Sequence, residues 1–400
     1  MHSLADTTKL VSDGIITADQ AREIEARARE TLVSLSINSL LGAGILAATG
    51  GMIFWLANAT AVAVAGVLLL GLGLAILAKA GEGVRMFGNA AALIGAGMLI
   101  GGAGIELVDK YPDQAGWIMT AGGALVAVIA GRAMIWGGLT TRFVQGAILL
   151  MGLTLHLAGV VVLAQDLGIS GPGRAVVFLY AALIIAGAGT LVNIRFVTAL
   201  AIMPFAQMLD TGTSYFHAAY MFYSPESTLT ILQMGLLVAG MLWWAQRVPE
   251  RLASHARTLA IMGFVVANLA ALVGSLWGDV VGQSVWGPGS DYWRTANIDF
   301  DTWQAADQAF RETALVISEN VYSVLWALAL LAIGAWSAHS GRRVLFNATL
   351  TFAGIHAYTQ LFESFSDEPL AYVVGGFAAI PLAWGAWRLN QWFAARPTAA

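Results

Sequence analysis

The stretch Met86–Leu107 reads MFGNAAALIGAGMLIGGAGIEL, with Arg85 before it and Asp109 and Lys110 just after it. As a helix rising ~1.5 Å per residue it extends ~33 Å, enough to cross the ~30 Å hydrocarbon core of a bilayer. Only Glu106, near its far end, is charged. A basic residue at one end and acidic residues at the other recur along the chain, and this recurrence decides the fold class.

The composition agrees. The 400 residues are 58% hydrophobic and 11% charged, with a mean hydropathy of +0.72. A soluble domain carries about 25% charged residues. The 45 glycines suit helices packed closely in lipid. There is no cysteine, which excludes disulfides, thiolate metal sites and cysteine nucleophiles.

Read by length and hydropathy, twelve candidate spans emerge: 33–56, 60–78, 86–107, 115–136, 143–164, 174–192, 196–209, 227–246, 258–278, 314–338, 344–364 and 369–392. The runs are continuous and too long for the alternating strands of a membrane barrel. Residues 1–31 are polar and mixed in charge, without an apolar stretch ahead of a small-residue cleavage site, so the first span is expected to be an uncleaved anchor.

The basic residues sort by gap. Sixteen of the 20 fall in alternate gaps: Lys9, Arg22, Arg27, Arg29, Lys79, Arg85, Arg132, Arg142, Arg195, Arg247, Arg251, Arg257, Arg342, Arg343, Arg388 and Arg396. The other gaps hold Lys110, Arg174, Arg294 and Arg311. The positive-inside rule makes the first set cytoplasmic, with both termini inside and an even number of spans. The opposite face is acidic, from Glu106, Asp109 and Asp113 through Asp166, Asp210, Glu226 and Asp279 to Asp367 and Glu368. It reads first as a solvated surface.

The chain also echoes itself. Leu41-Gly42-Ala43-Gly44-Ile45-Leu46 reappears as Ile94-Gly95-Ala96-Gly97-Met98-Leu99. Arg29, Arg85, Arg142, Arg195, Arg257 and Arg343 each announce an outward-running span, which suggests six hairpins of one period.

Two segments fall outside the spans. In residues 1–31, Thr17 and Gln20 form a capping box that opens a helix over 18–30. Leu10, Ile15, Ile16, Ala21 and Ile24 could then make a patch too small for an independent domain, so this cytoplasmic hairpin should dock on the membrane domain, 32–394, or on a second copy. The outer loop 279–313 holds Trp286, Tyr292, Trp293 and Trp303 among acids and glycines. Asp301 could cap a short interfacial helix with Trp303, Ala306 and Phe310 on one face.

The pattern Leu10-Val11-x-x-Gly14-Ile15-Ile16-Thr17-x-x-Gln20-Ala21, and the stretch Gly341–Asn347 with its aromatic continuation from Tyr358 to Phe362, resemble the bacterial predicted membrane proteins of the domain-of-unknown-function 2157 family. The resemblance implies a bacterial cytoplasmic (inner) membrane protein and brings no catalytic residues with it.

Ionisable groups within spans are functional candidates, because burying them in lipid is costly. Counted along their spans, His156, Glu319 and His356 fall in the outer third of the membrane, with Gln233 near that level. His356, Gln360 and Glu363 share one helix face, and Glu319 shares one with Ser323. If spans five, ten and eleven meet, these residues could bind a cation, relay protons or hold a polar solute. The plainer reading is interhelical hydrogen bonding. Span seven is short and carries Pro204, and a polar aromatic run from Thr211 to Tyr223 follows it. Interrupted helices mark transporter sites, although Pro381, the comparable proline, does not match it in position.

Other chemistries find no motif. The chain has no nucleotide-binding Gly-x-x-x-x-Gly-Lys-Ser/Thr, no Gly-x-Ser-x-Gly and no His-x-x-x-His. Neither enzymatic activity nor a metal or cofactor is expected. The expectation is an all-α polytopic bundle with the bilayer as its surroundings. A small polar solute or cation and a second copy are its candidate partners, and nucleic acid is not one. Two functions fit: a permease with an outward polar pocket, or a non-transporting scaffold or regulator working through 1–31. An enzyme acting on lipid is a distant third.

Overall fold

The computed structural model describes residues 7–56, 58–79, 85–136, 142–216, 219–289, 297–340 and 342–365, with single helical positions between 373 and 391. The chain divides into two compact units, 1–168 and 169–400.

The first unit holds α1 (Thr7–Ser12), α2 (Ala18–Leu56), α3 (Ala59–Lys79), α4 (Arg85–Lys110), α5 (Pro112–Trp136) and α6 (Arg142–Asp166). The Thr17–Gln20 capping box forms: the Thr17 N–H donates to Gln20 Oε1 at 2.9 Å, and the Gln20 N–H to Thr17 Oγ1 at 3.2 Å. The helix it opens does not stop near residue 30. It runs unbroken for 39 residues, about 58 Å, from the polar segment through the expected first span. Nothing between 30 and 33 is a breaker, so the helix propagates across the change in polarity. Gly14, at φ 67°, turns the chain from α1 to α2. Ala21 is buried, whereas Ile15 and Ile24 stay 65% and 47% exposed.

In this unit α3 packs on α4 and α5 on α6, and glycines set the approach. A Cβ on Gly66 would lie 2.6 Å from the backbone N of Leu99, and one on Gly73 would lie 2.3 Å from that of Ala92. In the second pair, a Cβ on Gly123 would lie 2.3 Å from the backbone N of His156, and one on Gly159 would lie 2.4 Å from that of Thr120. Gly66/Gly73, Gly88/Gly95/Gly102, Gly116/Gly123 and Gly152/Gly159 recur at heptad spacing. Such spacing keeps one seam facing a partner along the helix. The tightest pairs are therefore joined through the basic gaps at 80–84 and 137–141. The repeat expected from the sequence had paired helices across the acidic gaps.

The second unit opens with α7 (Pro172–Val192), followed by α8 (Arg195–Leu200) and α9 (Ile202–Gln207). Strands β1 (Gly212–Phe216) and β2 (Ala219–Tyr223) form an antiparallel hairpin, with Gly212 opposite Tyr223. Next come α10 (Ser227–Ala245), α11 (Glu250–Trp277), β3 (Asp279–Val280), α12 (Phe300–Thr313), β4 (Val316–Ile317), α13 (Glu319–His339) and α14 (Arg343–Phe365). Strands β3 and β4 pair antiparallel, Asp279 opposite Ile317. Again α10 packs on α11 and α13 on α14 through basic gaps. The apolar core is thin: Ile202, Ala206, Met234 and Val266 form one cluster, and Ala271, Trp326, Leu330 and Phe352 another.

Eight helices among the described residues are long and apolar enough to cross a membrane: α3, α4, α5, α6, α7, α10, α11 and α13. Only 17% to 44% of the residues in their apolar windows are buried, and large side chains such as Leu236 and Leu331 point outward. Apolar outer surface on this scale fits a lipid solvent. This is an integral, multi-pass, helical membrane protein.

Several expected spans take other forms. The seventh, 196–209, is two six-residue helices, each ~9 Å long. The break at Ala201 follows from Pro204, which cannot donate to the Leu200 carbonyl and whose ring excludes it. Thr198, on α8, bonds His255 near the start of α11, and Thr211, four residues past α9, bonds Thr230 near the start of α10. The tenth span begins at Glu319 rather than 314, because Val316 and Ile317 are committed to β4. Helix α12 is capped by Asp299, whose side chain accepts the Thr302 N–H at 2.7 Å, and not by Asp301. The twelfth expected span, 369–392, lies outside the described residues apart from those single positions.

Candidate functional site at the acidic end of the second unit

The N-terminus of α10 exposes backbone N–H groups that need acceptors. Glu226 occupies the N-cap position but makes no side-chain cap. Asp279, just beyond the end of α11, supplies the acceptor instead. Its Oδ2 takes the Thr228 N–H at 2.8 Å and the Thr228 hydroxyl at 2.5 Å. The Tyr322 hydroxyl from α13 donates to the same oxygen at 3.2 Å and also bonds Thr228 Oγ1. Tyr322 reaches this point because Gly274 of α11 leaves room for it: a Cβ there would lie 2.5 Å from its ring.

Glu226 turns the other way, to the loop after β3. Its Oε2 accepts the Gly282 N–H at 2.7 Å, and its Oε1 accepts the Ser284 N–H at 2.6 Å and the Ser284 hydroxyl at 2.8 Å. Gly282, at φ 83°, lets the loop present those groups. The two carboxylates thus clasp each other's segments, and α10, α11 and α13 meet there. Glu226 has no exposed surface and Asp279 is 7% exposed. All their hydrogen-bond donors are neutral. Burial pushes the Glu226 carboxyl above its ordinary range, against the pull of its donors, and the negative Asp279 adds to the rise.

Beside the clasp lies a buried hydroxyl cluster. Thr211 Oγ1 bonds Thr230 at 2.7 Å and Ser224 at 3.0 Å, just past the end of α9. Over the clasp, Gln283 donates to Asp307 at 2.6 Å, Arg311 Nε pairs with Asp307 at 2.7 Å, and the Trp303 indole donates to the Gly289 carbonyl at 3.1 Å. Helix α12 and the loop therefore form one cap.

No family model, curated protein or solved structure matches this chain. The site is read from its geometry alone.

The residues singled out by sequence are distributed as follows. His156 is buried in the first unit, where Nδ1–H donates to the Thr120 carbonyl across the α5–α6 seam at 2.8 Å. Glu319 is the exposed first residue of α13, one turn before Tyr322. His356, on α14, meets the Trp326 ring edge-on at 4.7 Å. It closes an apolar groove of about 530 Å³ lined by Leu330, Leu331, Thr349 and Leu350. Gln360 is half-buried one turn beyond it. The side chain of Glu363 lies outside the described residues. Gln233, on α10, donates to the Phe205 carbonyl of α9 at 2.8 Å. A larger groove of about 1010 Å³ between α4, α5 and α6 is also apolar, with Asp109 at one end. Among the described residues no group of His, Asp or Glu is arranged to hold a metal ion.

Sequence reading placed Glu226 and Asp279 among the outer acids without seeing their burial. The available signal was position. Each abuts the end of an apolar span, at the start of 227–246 and the end of 258–278, and the gap that holds Glu226 has no base to pair with.

Proposed function

We propose that this protein is a permease of the bacterial cytoplasmic membrane that passes a small polar solute or cation, with Glu226 and Asp279 as its polar centre. One observation carries the reading: a pair of short helices broken ahead of Pro204, α8–α9, leads into a buried cluster of hydroxyls beside two buried carboxylates without a basic partner. Interrupted helices are the usual material of solute sites in membrane transporters, and buried acids at the ends of the spans would face a solute entering there. Glu319, one turn above Tyr322, then stands at the outer mouth. In the same proposal both termini are cytoplasmic. The twelve crossings are the eight apolar helices, the apolar half of α2, the α8–α9 pair, α14 and 369–392.

Flux through proteoliposomes tests it, with trapped pH- and cation-sensitive dyes and imposed gradients of H⁺, Na⁺ or K⁺. Wild-type vesicles should dissipate at least one gradient, and Glu226→Gln and Asp279→Asn should slow that flux at least tenfold while the protein stays folded. Wild-type vesicles as tight as protein-free ones to all three ions would remove the cation permease.

A second reading has its own support. Ile15 and Ile24 remain exposed on a hairpin continuous with the membrane helix α2, as a docking face for a second copy or another protein would be. The chain has no cysteine, so Ile15→Cys and Ile24→Cys give unique cross-linking sites. Links to another chain favour a scaffold or regulator, and links confined to the same chain count against it.

A further inference from the structure

Four arginines at the basic ends of helices stack on tryptophans. On α5, Arg132 lies 5.0 Å from the Trp136 ring centre. At the end of α10, Arg247 lies 3.9 Å over Trp243, and its Nη1 also donates to the Trp243 carbonyl at 2.9 Å. Between α13 and α14, Arg342 lies 4.6 Å over Trp336. Arg388 and Trp384 repeat the pairing at 5.2 Å. Arg132/Trp136 and Trp384/Arg388 are spaced four residues apart within helix, which places both side chains on one face; Arg247 follows Trp243 at the same spacing, two residues past the end of α10. The pairs occur in both compact units.

We propose that these Arg–Trp pairs bind the headgroups of anionic phospholipids. Three observations converge on that ligand. First, the rings are not core: Trp136 is 76% exposed, Trp243 58%, Trp336 49% and Trp384 57%. Exposed indoles at span ends belong at headgroup depth. Second, the described bases at the acidic ends are neutralised within the chain: Lys110 pairs with Glu106, Arg174 with Asp210 and Arg311 with Asp307. At the basic ends Arg257 is likewise paired, with Glu250. The four stacked guanidiniums have no carboxylate among the described residues. Third, a guanidinium over a ring spends none of its N–H donors on that ring, and even Arg247, with Nη1 on the Trp243 carbonyl, keeps others to offer. Such donors match a phosphate in bidentate fashion, and guanidinium is more weakly hydrated than ammonium. The pair thus offers a flat apolar body to the acyl boundary and a fixed cationic fork to the phosphate. The inference rests on the chain spanning a bilayer, but not on which face is cytoplasmic or on any transported solute.

The test uses the full chain in detergent, titrated with dioleoylphosphatidylglycerol or dioleoylphosphatidylcholine and read by native mass spectrometry. The wild type should retain the anionic lipid about fivefold more tightly per site, the preference that one basic residue gains at an anionic surface. The combined variant R132Q/R247Q/R342Q/R388Q should lose that preference. Should it fold poorly, R132Q and R388Q singly should each remove one preferentially bound lipid. The corresponding Arg→Lys variant keeps the charge without the fork and should retain only part of the preference. Equal retention of both lipids by the wild type, or an unchanged preference in the Gln variants, overturns the proposal. Full retention by the Lys variant overturns the role of stacking. Detergent titration is blind to orientation and to flux, so failure here is separable from failure of the topology or of the permease reading.

Discussion

The carboxylate of Asp279 caps a helix to which it does not belong: it accepts the Thr228 N–H at 2.8 Å across 51 residues of sequence. Asp279→Ala should therefore unfasten the acidic ends of α10, α11 and α13 together. It strands the Thr228 N–H, and of the Thr228 and Tyr322 hydroxyls it leaves only their bond to each other. The expected cost is about 2 kcal/mol, seen as a lower thermal midpoint in detergent. Asp279→Asn, which keeps one acceptor oxygen, should lose about half as much. A midpoint unchanged by Asp279→Ala would mean that the clasp does not hold these ends.

Adjacent glycines on α5 should answer oppositely to one methyl group. At Gly123 a Cβ meets the backbone N of His156 at 2.3 Å, whereas at Gly122 it meets nothing within 4 Å. Gly123→Ala must push α5 from α6, at a cost of about 2 kcal/mol. Gly122→Ala should be neutral or slightly stabilising. Thermal midpoints of the two variants measure the difference, and equal values would refute the seam.

Glu226 in the clasp and Asp299 at the start of α12 should pull stability in opposite directions with pH. Glu226 is raised above its ordinary value of 4.5, first by burial. Its contribution is fully present below pH 4.5 and declines as pH rises through the folded value. Asp299 is lowered below its ordinary 3.8 by its bonds to Thr302. Its contribution is present above 3.8 and declines as pH falls. From about pH 4.5 upward, until the raised Glu226 value is passed, unfolding midpoints should fall with rising pH. Glu226→Gln should flatten that slope.

Orientation is open to direct measurement. Reporter tags at positions 1 and 400 should both be cytoplasmic, and one at Gly289, in the cap loop, should be outside. The motive is the imbalance of basic residues between alternate gaps. Termini on opposite faces would remove one crossing, with 196–209 the first candidate.

The sequence by itself determined the class. Runs such as 86–107 can be satisfied only in lipid, and arginines such as Arg85 and Arg142 mark one end of them, because hydropathy and positive charge act locally along the chain. The capping box at Thr17 was legible for the same reason: its two partners lie within one helical turn. Tertiary structure decided what depends on neighbours distant in sequence. The heptad glycines were visible, but that Gly123 faces His156 across a basic gap depends on how the helices pair. Pro204 foretold a break, but not that the chain beyond it would turn into a hairpin and a hydroxyl cluster. The carboxylates of Glu226 and Asp279 looked like any solvated acids at span ends. They became buried because each satisfies backbone donors 51 to 58 residues away, and hydrogen-bond satisfaction across that distance is set by the fold.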